Sequence, residues 1–162
     1  MNDSRQPPGA RSLQGLVRER QAWRAAGRRV VLTNGCFDLL HAGHVALLEA
    51  ARREGDVLVV AINADSSVRR LKGEGRPLVP QAERAETLGA LEAVDRVVVY
   101  EQDTPLEVVR ALVPDVLVKG ADWASDEIVG RAEVEAHGGR VARVALVPGR
   151  STSAIVERIR RP

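Results

Sequence analysis

Two histidines bracket a glycine in the string Thr33-Asn34-Gly35-Cys36-Phe37-Asp38-Leu39-Leu40-His41-Ala42-Gly43-His44. The apolar run Val30 to Leu32 precedes it, and Val45, Leu47, Leu48 and Ala51 follow at helical spacing. The string therefore links a buried strand to the start of a helix. The first N–H groups of a helix lack internal partners, and its dipole favours an anion there. Gly43 lets a phosphate approach the backbone, and Gly35 offers a second close approach. His41 and His44 can donate hydrogen bonds to phosphate oxygens from opposite sides. A second helix start, Pro148-Gly149-Arg150-Ser151-Thr152-Ser153, places a cation beside hydroxyls at the cap positions. Ser151 or Thr152 could simply cap that helix; paired with the first string, the turn makes a second phosphate cradle.

Other loops carry weaker signals. Arg70-Leu71-Lys72-Gly73-Glu74-Gly75-Arg76-Pro77 sets three cations among glycines. It reads either as a solvated loop or as a mobile lid whose Lys72 neutralises transferred phosphate charge. Lys119-Gly120-Ala121-Asp122-Trp123 closes a strand, and Trp123 is either a pocket wall or a core plug. Asn63 and Asp65 end another strand, with Asp65 equally suited to capping a helix. Arg84, on the helix after the lid, could bind a sugar phosphate or lie on the surface. Cys36 is the only cysteine, so it has no disulfide partner, and no metal-ligand spacing surrounds it. Neither a P-loop nor a G-x-G-x-x-G order is present.

The elements that must position these residues alternate. Strands are expected over 30–33, 57–62, 96–100, 115–118 and 140–147. Helices are expected over 13–26, 43–54, 64–71, 81–91, 104–112, 125–136 and 151–160, with Thr104 capping and Pro105 at the first helical position. Strands apolar on both faces and separated by helices imply an α/β, Rossmann-like, doubly wound domain: a five-stranded parallel sheet covered by helices on both faces. Ligands in such sheets bind beyond the carboxyl ends of the strands, at the switch point, where all of these loops converge. The 162 residues suit one domain, over 12–162, with an N-terminal helix within 12–27. Aromatics are 2%, so aliphatic side chains must build the core. A net charge of +2 does not argue for nucleic acid. No apolar run approaches the ~20 residues needed to cross a bilayer. Met1 to Arg11 reads as a disordered tail without the apolar stretch of a secretion signal, so a cytoplasmic protein is expected.

The H-x-G-H string at His41 to His44 resembles the signature of the cytidylyltransferase-like nucleotidyltransferases. The wider strings Thr33 to Asp38, Arg70 to Gly73, Gly89 to Asp95, Leu117 to Asp122 and Ser151-Thr152 resemble, within them, the D-glycero-β-D-manno-heptose 1-phosphate adenylyltransferases of ADP-heptose synthesis. The similarity runs from about Arg28 to Ile159. It implies transfer of AMP from ATP to the sugar phosphate, for the lipopolysaccharide inner core, by a stand-alone enzyme fed by a separate kinase. His41, His44 and Lys72 would be the catalytic residues. Thr33, Asn34, Gly35, Phe37, Gly43, Lys119, Gly120, Arg150, Ser151 and Thr152 would line the nucleotide side. Asp38, Asn63, Asp65, Arg84 and Trp123 would line the acceptor side, with Lys119 able to reach either. Mg²⁺ is expected, bound mainly through the nucleotide phosphates and without dedicated protein ligands. A homodimer or higher homo-oligomer is expected for this fold, with no nucleic-acid or membrane partner. The rivals are a glycerol-phosphate cytidylyltransferase, a pantetheine-phosphate adenylyltransferase, a non-catalytic nucleotide sensor and a nucleic-acid-binding domain.

Overall fold

The computed structural model describes residues 10–122, 124 and 127–161. Six parallel strands form one sheet: β1 (Ala10–Arg11), β2 (Val30–Gly35), β3 (Val57–Asn63), β4 (Arg96–Tyr100), β5 (Val116–Gly120) and β6 (Arg140–Val144). Their spatial order is β1-β4-β3-β2-β5-β6. The chain leaves β2 toward β3 and β4, then crosses back to β5 and β6 on the other side. The switch point therefore lies between β2 and β5. The sheet has one strand more than expected, because Ala10 and Arg11 pair with Val97 and Val98. The tail expected over 1–11 is thus corrected at its last two residues; residues 1–9 lie outside those described.

The helices are α1 (Leu13–Ala25), α2 (Ala42–Arg52), α3 (Asp65–Lys72), α4 (Gln81–Gly89), α5 (Leu106–Leu112), α6 (Arg131–Ala136) and α7 (Thr152–Arg160). Alternation along each strand sorts the core into two layers. One face presents Val31, Leu58, Val60, Ile62, Val97, Val116 and Val118 to Leu48 and Ala51 of α2 and to Ala85 and Leu88 of α4. The other presents Val30, Leu32, Val57, Val59, Ala61, Val98 and Leu117 to Leu16 and Trp23 of α1, to α5, and to Val134 of α6. Buried Arg20 fixes α1 by donating to the carbonyls of Leu112 (3.1 Å) and Val113 (3.0 Å) and to Asp115 (3.1 Å). Two of those bonds satisfy carbonyls at the end of α5, where Val113 takes a left-handed φ of 45°.

Three expected boundaries are corrected. Pro105, not Thr104, occupies the cap position of α5, and no side chain caps it. Of the helix expected over 125–136, residues 125 and 126 lie outside those described, and α6 starts at Arg131 behind Gly130 at φ 91°; a β-carbon there would meet Val109 at 2.8 Å. The last strand stops at Val144, which frees Leu146 and Val147 for the loop that follows.

Candidate active site

A cavity of about 590 Å³ opens at the carboxyl ends of β2 and β5, at the switch point. Its floor is the loop between β2 and α2. His41 is the N-cap of α2, and its Nδ1 accepts from the Gly43 N–H at 3.1 Å. A neutral His41 ring must then carry its proton on Nε2 and act as a donor there. The His41 and His44 rings stack with centroids 3.8 Å apart, and Phe37 meets His44 at 5.2 Å. Phe37 and Leu39 both hold positive φ, 48° and 52°, so packing enforces a backbone that costs energy at non-glycine positions.

Burial, then the charges of His41 and Lys72, push His44 down to about 4 against the opposing pull of Asp38. Burial, then Arg150, lowers His41. Both rings are therefore neutral donors near pH 7. His44 binds fewer protons folded than unfolded between its ordinary value of 6.5 and about 4. Its contribution to stability is full above 6.5 and is lost as pH falls toward 4. A pH titration of the imidazole signals is expected to show His44 half-protonated near 4 in the free protein. A midpoint at its ordinary value would show that the ring is solvated.

The second turn touches the first. A β-carbon on Gly43 would lie 2.9 Å from the His41 ring and 3.0 Å from Cβ of Arg150. Thr152 Oγ1 donates to the Asp38 carbonyl at 2.7 Å. Ser151 Oγ accepts from the Ala154 N–H at 3.1 Å and so caps α7. Two helix N-termini thus face one cavity with Arg150 between them. A methyl on Gly43 must displace His41 or the 150–152 turn. Gly43→Ala is accordingly expected to raise KM for the nucleotide by about 10-fold or more, the equivalent of ~1.4 kcal/mol, with the melting temperature little changed. An unchanged KM would separate the close approach from phosphate binding.

Asp38 joins the floor to the lid. Its carboxylate accepts from Arg76 Nε (2.7 Å) and from the N–H groups of Leu78 and Val79 (2.9 Å each). Burial alone would raise this carboxyl; the bonds from Leu78, Val79 and Arg76 outweigh it and hold it below the usual value. Lys72, the last residue of α3 rather than a loop residue, lines the cavity and is exposed. Arg70 fixes the end of α3 through Asp103 (2.7 Å) and the Glu101 carbonyl (2.6 Å). Thr33 donates to the Val118 carbonyl at 3.1 Å, tying β2 to β5 under the cavity. Lys119, nearly buried in the wall, is pushed down to about 8 by desolvation, with Asp122 opposing. Gly120 keeps the same rim open: a β-carbon there would meet Asp122 at 2.5 Å and Leu146 at 2.9 Å.

Residues 32–158 match the cytidylyltransferase-like family. The chain belongs to that family. It is 60% identical over 137 residues to the bifunctional protein HldE of Magnetococcus marinus, covering 85% of this chain and 28% of the relative. The chain spans about three tenths of the length of the curated relatives it matches. Among solved structures it is similar to the lipopolysaccharide core biosynthesis protein of Thermoplasma volcanium, with 29% identity and a TM-score of 0.61 over 75% of this chain and 98% of that one. The pantoate-beta-alanine ligase of Francisella tularensis, at 12% identity, shares the fold with a TM-score of 0.62 over 89% of this chain and 68% of that one.

Within this cytidylyltransferase-like frame, most of the expected residues meet. Thr33, Asn34, Gly35, Phe37, Asp38, His41, Gly43, His44, Asn63, Lys72, Lys119, Gly120 and Arg150 to Thr152 line one cavity. Arg84 and Asp65 do not. Arg84 is 1% exposed and donates to the carbonyls of Val79 (2.9 Å), Cys36 (2.5 Å) and Asn63 (2.9 Å) and to Asp65 Oδ1 (2.7 Å). Its guanidinium, expected to bind sugar phosphate, instead holds three chain segments together. Asp65 is the counter-charge of that pin. Trp123 lies outside the described residues. Sequence reasoning missed Tyr100, Cys36, Asp103 and Leu146 as cavity walls. Tyr100, the chain's single tyrosine, was detectable as a polar ring ending a strand at the ligand edge.

Proposed function

We propose that the chain transfers AMP from ATP to D-glycero-β-D-manno-heptose 1-phosphate, giving ADP-heptose and pyrophosphate. The observation that carries this proposal is the contact between the Gly43 and Arg150 turns across one cavity. Two helix starts and a cation in contact suit a chain of phosphates better than a single anion. The sugar is supported by the strings that resemble the heptose 1-phosphate adenylyltransferases and by likeness to a lipopolysaccharide core biosynthesis protein.

A phosphate monoester is anionic near neutral pH, so its oxygen can attack the α-phosphorus without a general base. The protein positions the reactants and stabilises the charge that builds on the α-phosphate and pyrophosphate. His41 would donate from Nε2, and His44 would donate to the same oxygens as a neutral ring. Arg150 and the first N–H groups of α7 would hold the β- and γ-phosphates. Lys72 would reach the α-phosphate from the end of α3. Among the described residues no group of three or more His, Cys, Asp or Glu side chains could hold a metal. Asp38, the carboxylate whose charge acts on His44, is occupied by Arg76, Leu78 and Val79. A Mg²⁺ ion, when bound, would be held mainly through the nucleotide phosphates and would supply charge neutralisation there.

The test is pyrophosphate release from ATP or CTP with heptose 1-phosphate, glycerol 3-phosphate and phosphopantetheine. ATP with heptose 1-phosphate is expected to be the fastest pair. Preference for CTP or another acceptor would assign a different member of the family, and nucleotide binding without pyrophosphate release would assign a sensor.

A further inference from the structure

Polar residues end one face of the sheet. On the face packed against α1, α5 and α6, the rows running through Leu32, Ala61, Val98 and Leu117 finish at Asn34, Asn63, Tyr100 and Lys119. Three of these form a string of hydrogen bonds whose direction is set from its far end. The Gln102 carbonyl can only accept, so Ser67, at 2.9 Å, gives it its one hydroxyl proton. Ser67 Oγ must then accept from Asn63 Nδ2 at 3.0 Å. That fixes the Asn63 amide with Oδ1 toward Tyr100, whose hydroxyl donates to it at 2.9 Å. The Tyr100 oxygen in turn accepts from Asn34 Nδ2 at 3.3 Å.

Asn34 is thereby held with Oδ1 turned away from the string, and that atom is buried without a hydrogen-bond partner among the described residues. Asn34, Asn63 and Tyr100 all line the cavity. Asn63 and Tyr100 end β3 and β4, on the side of β2 away from β5 and β6, and Arg150 to Thr152 follow β6. With the phosphates held where the α2 and α7 starts meet, at Gly43 and Arg150, the string runs from Asn34, expected on the nucleotide side, away toward the acceptor side. We propose that Asn34 is a specificity-determining residue: its Oδ1 accepts from a hydroxyl of a polyhydroxylated acceptor phosphate, and Tyr100 is the positioning residue that holds the amide that way round. The proposal rests on the transferase function above and narrows its acceptor to one bearing a hydroxyl donor at a fixed place. A site built to hydrogen-bond a hydroxyl discriminates against analogues that lack it, because its own polar atom is left unpaired.

The test is steady-state pyrophosphate release by wild type, Asn34→Ala and Tyr100→Phe, with heptose 1-phosphate and its monodeoxy analogues. Asn34→Ala is expected to raise KM for the sugar phosphate roughly 10-fold, the loss of one hydrogen bond, with KM for ATP unchanged. Tyr100→Phe, which removes the middle of the string and keeps the ring, moves the same constant in the same direction by less. One monodeoxy analogue is expected to be a poor acceptor for wild type and no poorer than the parent sugar for Asn34→Ala. Thermal melts of both variants separate these effects from unfolding. A rise in KM for ATP alone, or deoxy analogues that lose equally in wild type and variant, overturns the assignment. Wild type that turns over no sugar phosphate overturns the transferase function and this inference together. Active wild type with unaffected variants overturns only the inference.

Discussion

Replacing His44 by alanine is expected to lower turnover by ~10²–10³, the usual loss when one preorganised donor to developing charge is removed, with the fold intact. The ring is held by stacking on His41 and by Phe37, not by a hydrogen bond to a neighbouring element that its loss would orphan. Burial keeps it neutral, near 4, so it contributes a directed N–H rather than a diffuse cation. Lys72→Ala is expected to fall in the same range by the opposite route: its cation is exposed at the end of α3 and acts through charge. The two losses should therefore differ in salt dependence, with the Lys72 contribution screened and the His44 contribution retained. Single-turnover rates at low and high salt check both. Near wild-type turnover in either variant would remove that residue from the mechanism.

Arg84→Ala is expected to cost about 3–5 kcal/mol of stability, as when one partner of a buried ion pair is deleted. The guanidinium ties the β2 loop at Cys36, the end of β3 at Asn63, the lid at Val79 and α3 at Asp65. Its removal leaves three carbonyls and a carboxylate without those donors. Lysine cannot restore the fork, since one ammonium does not span four acceptors set in different directions. Activity should fall with the folded fraction and return where the variant is kept folded. Urea unfolding measures the first, and KM for the sugar phosphate below the transition measures the second. Unchanged stability with a raised KM would return Arg84 to the substrate.

That residue shows where the sequence is silent. An arginine on a helix after a lid looks the same whether it faces solvent, phosphate or three carbonyls, because its partners come from positions 36, 63 and 79. The parallel sheet was legible because Val57 to Ile62 and Val116 to Val118 are apolar without alternation, which only a sheet covered on both faces requires. The short β1 was not, since two residues carry no period. The two helix starts that meet at the cavity were legible at His41 to His44 and at Arg150 to Thr152, because helix starts leave local marks. Ser151 nonetheless serves as a cap, a role the same residue type predicts equally well. The Asn34–Tyr100–Asn63 string was hidden, since hydrogen-bond direction is settled by Gln102, far along the chain.

Both helix starts are expected to grip one triphosphate, and backbone amide shifts during titration with a non-hydrolysable ATP analogue report on each of them. Gly43 and His44 on one side, and Ser151 to Ser153 on the other, should move together with a single dissociation constant. Movement of one group while the other stays fixed at saturation would contradict it.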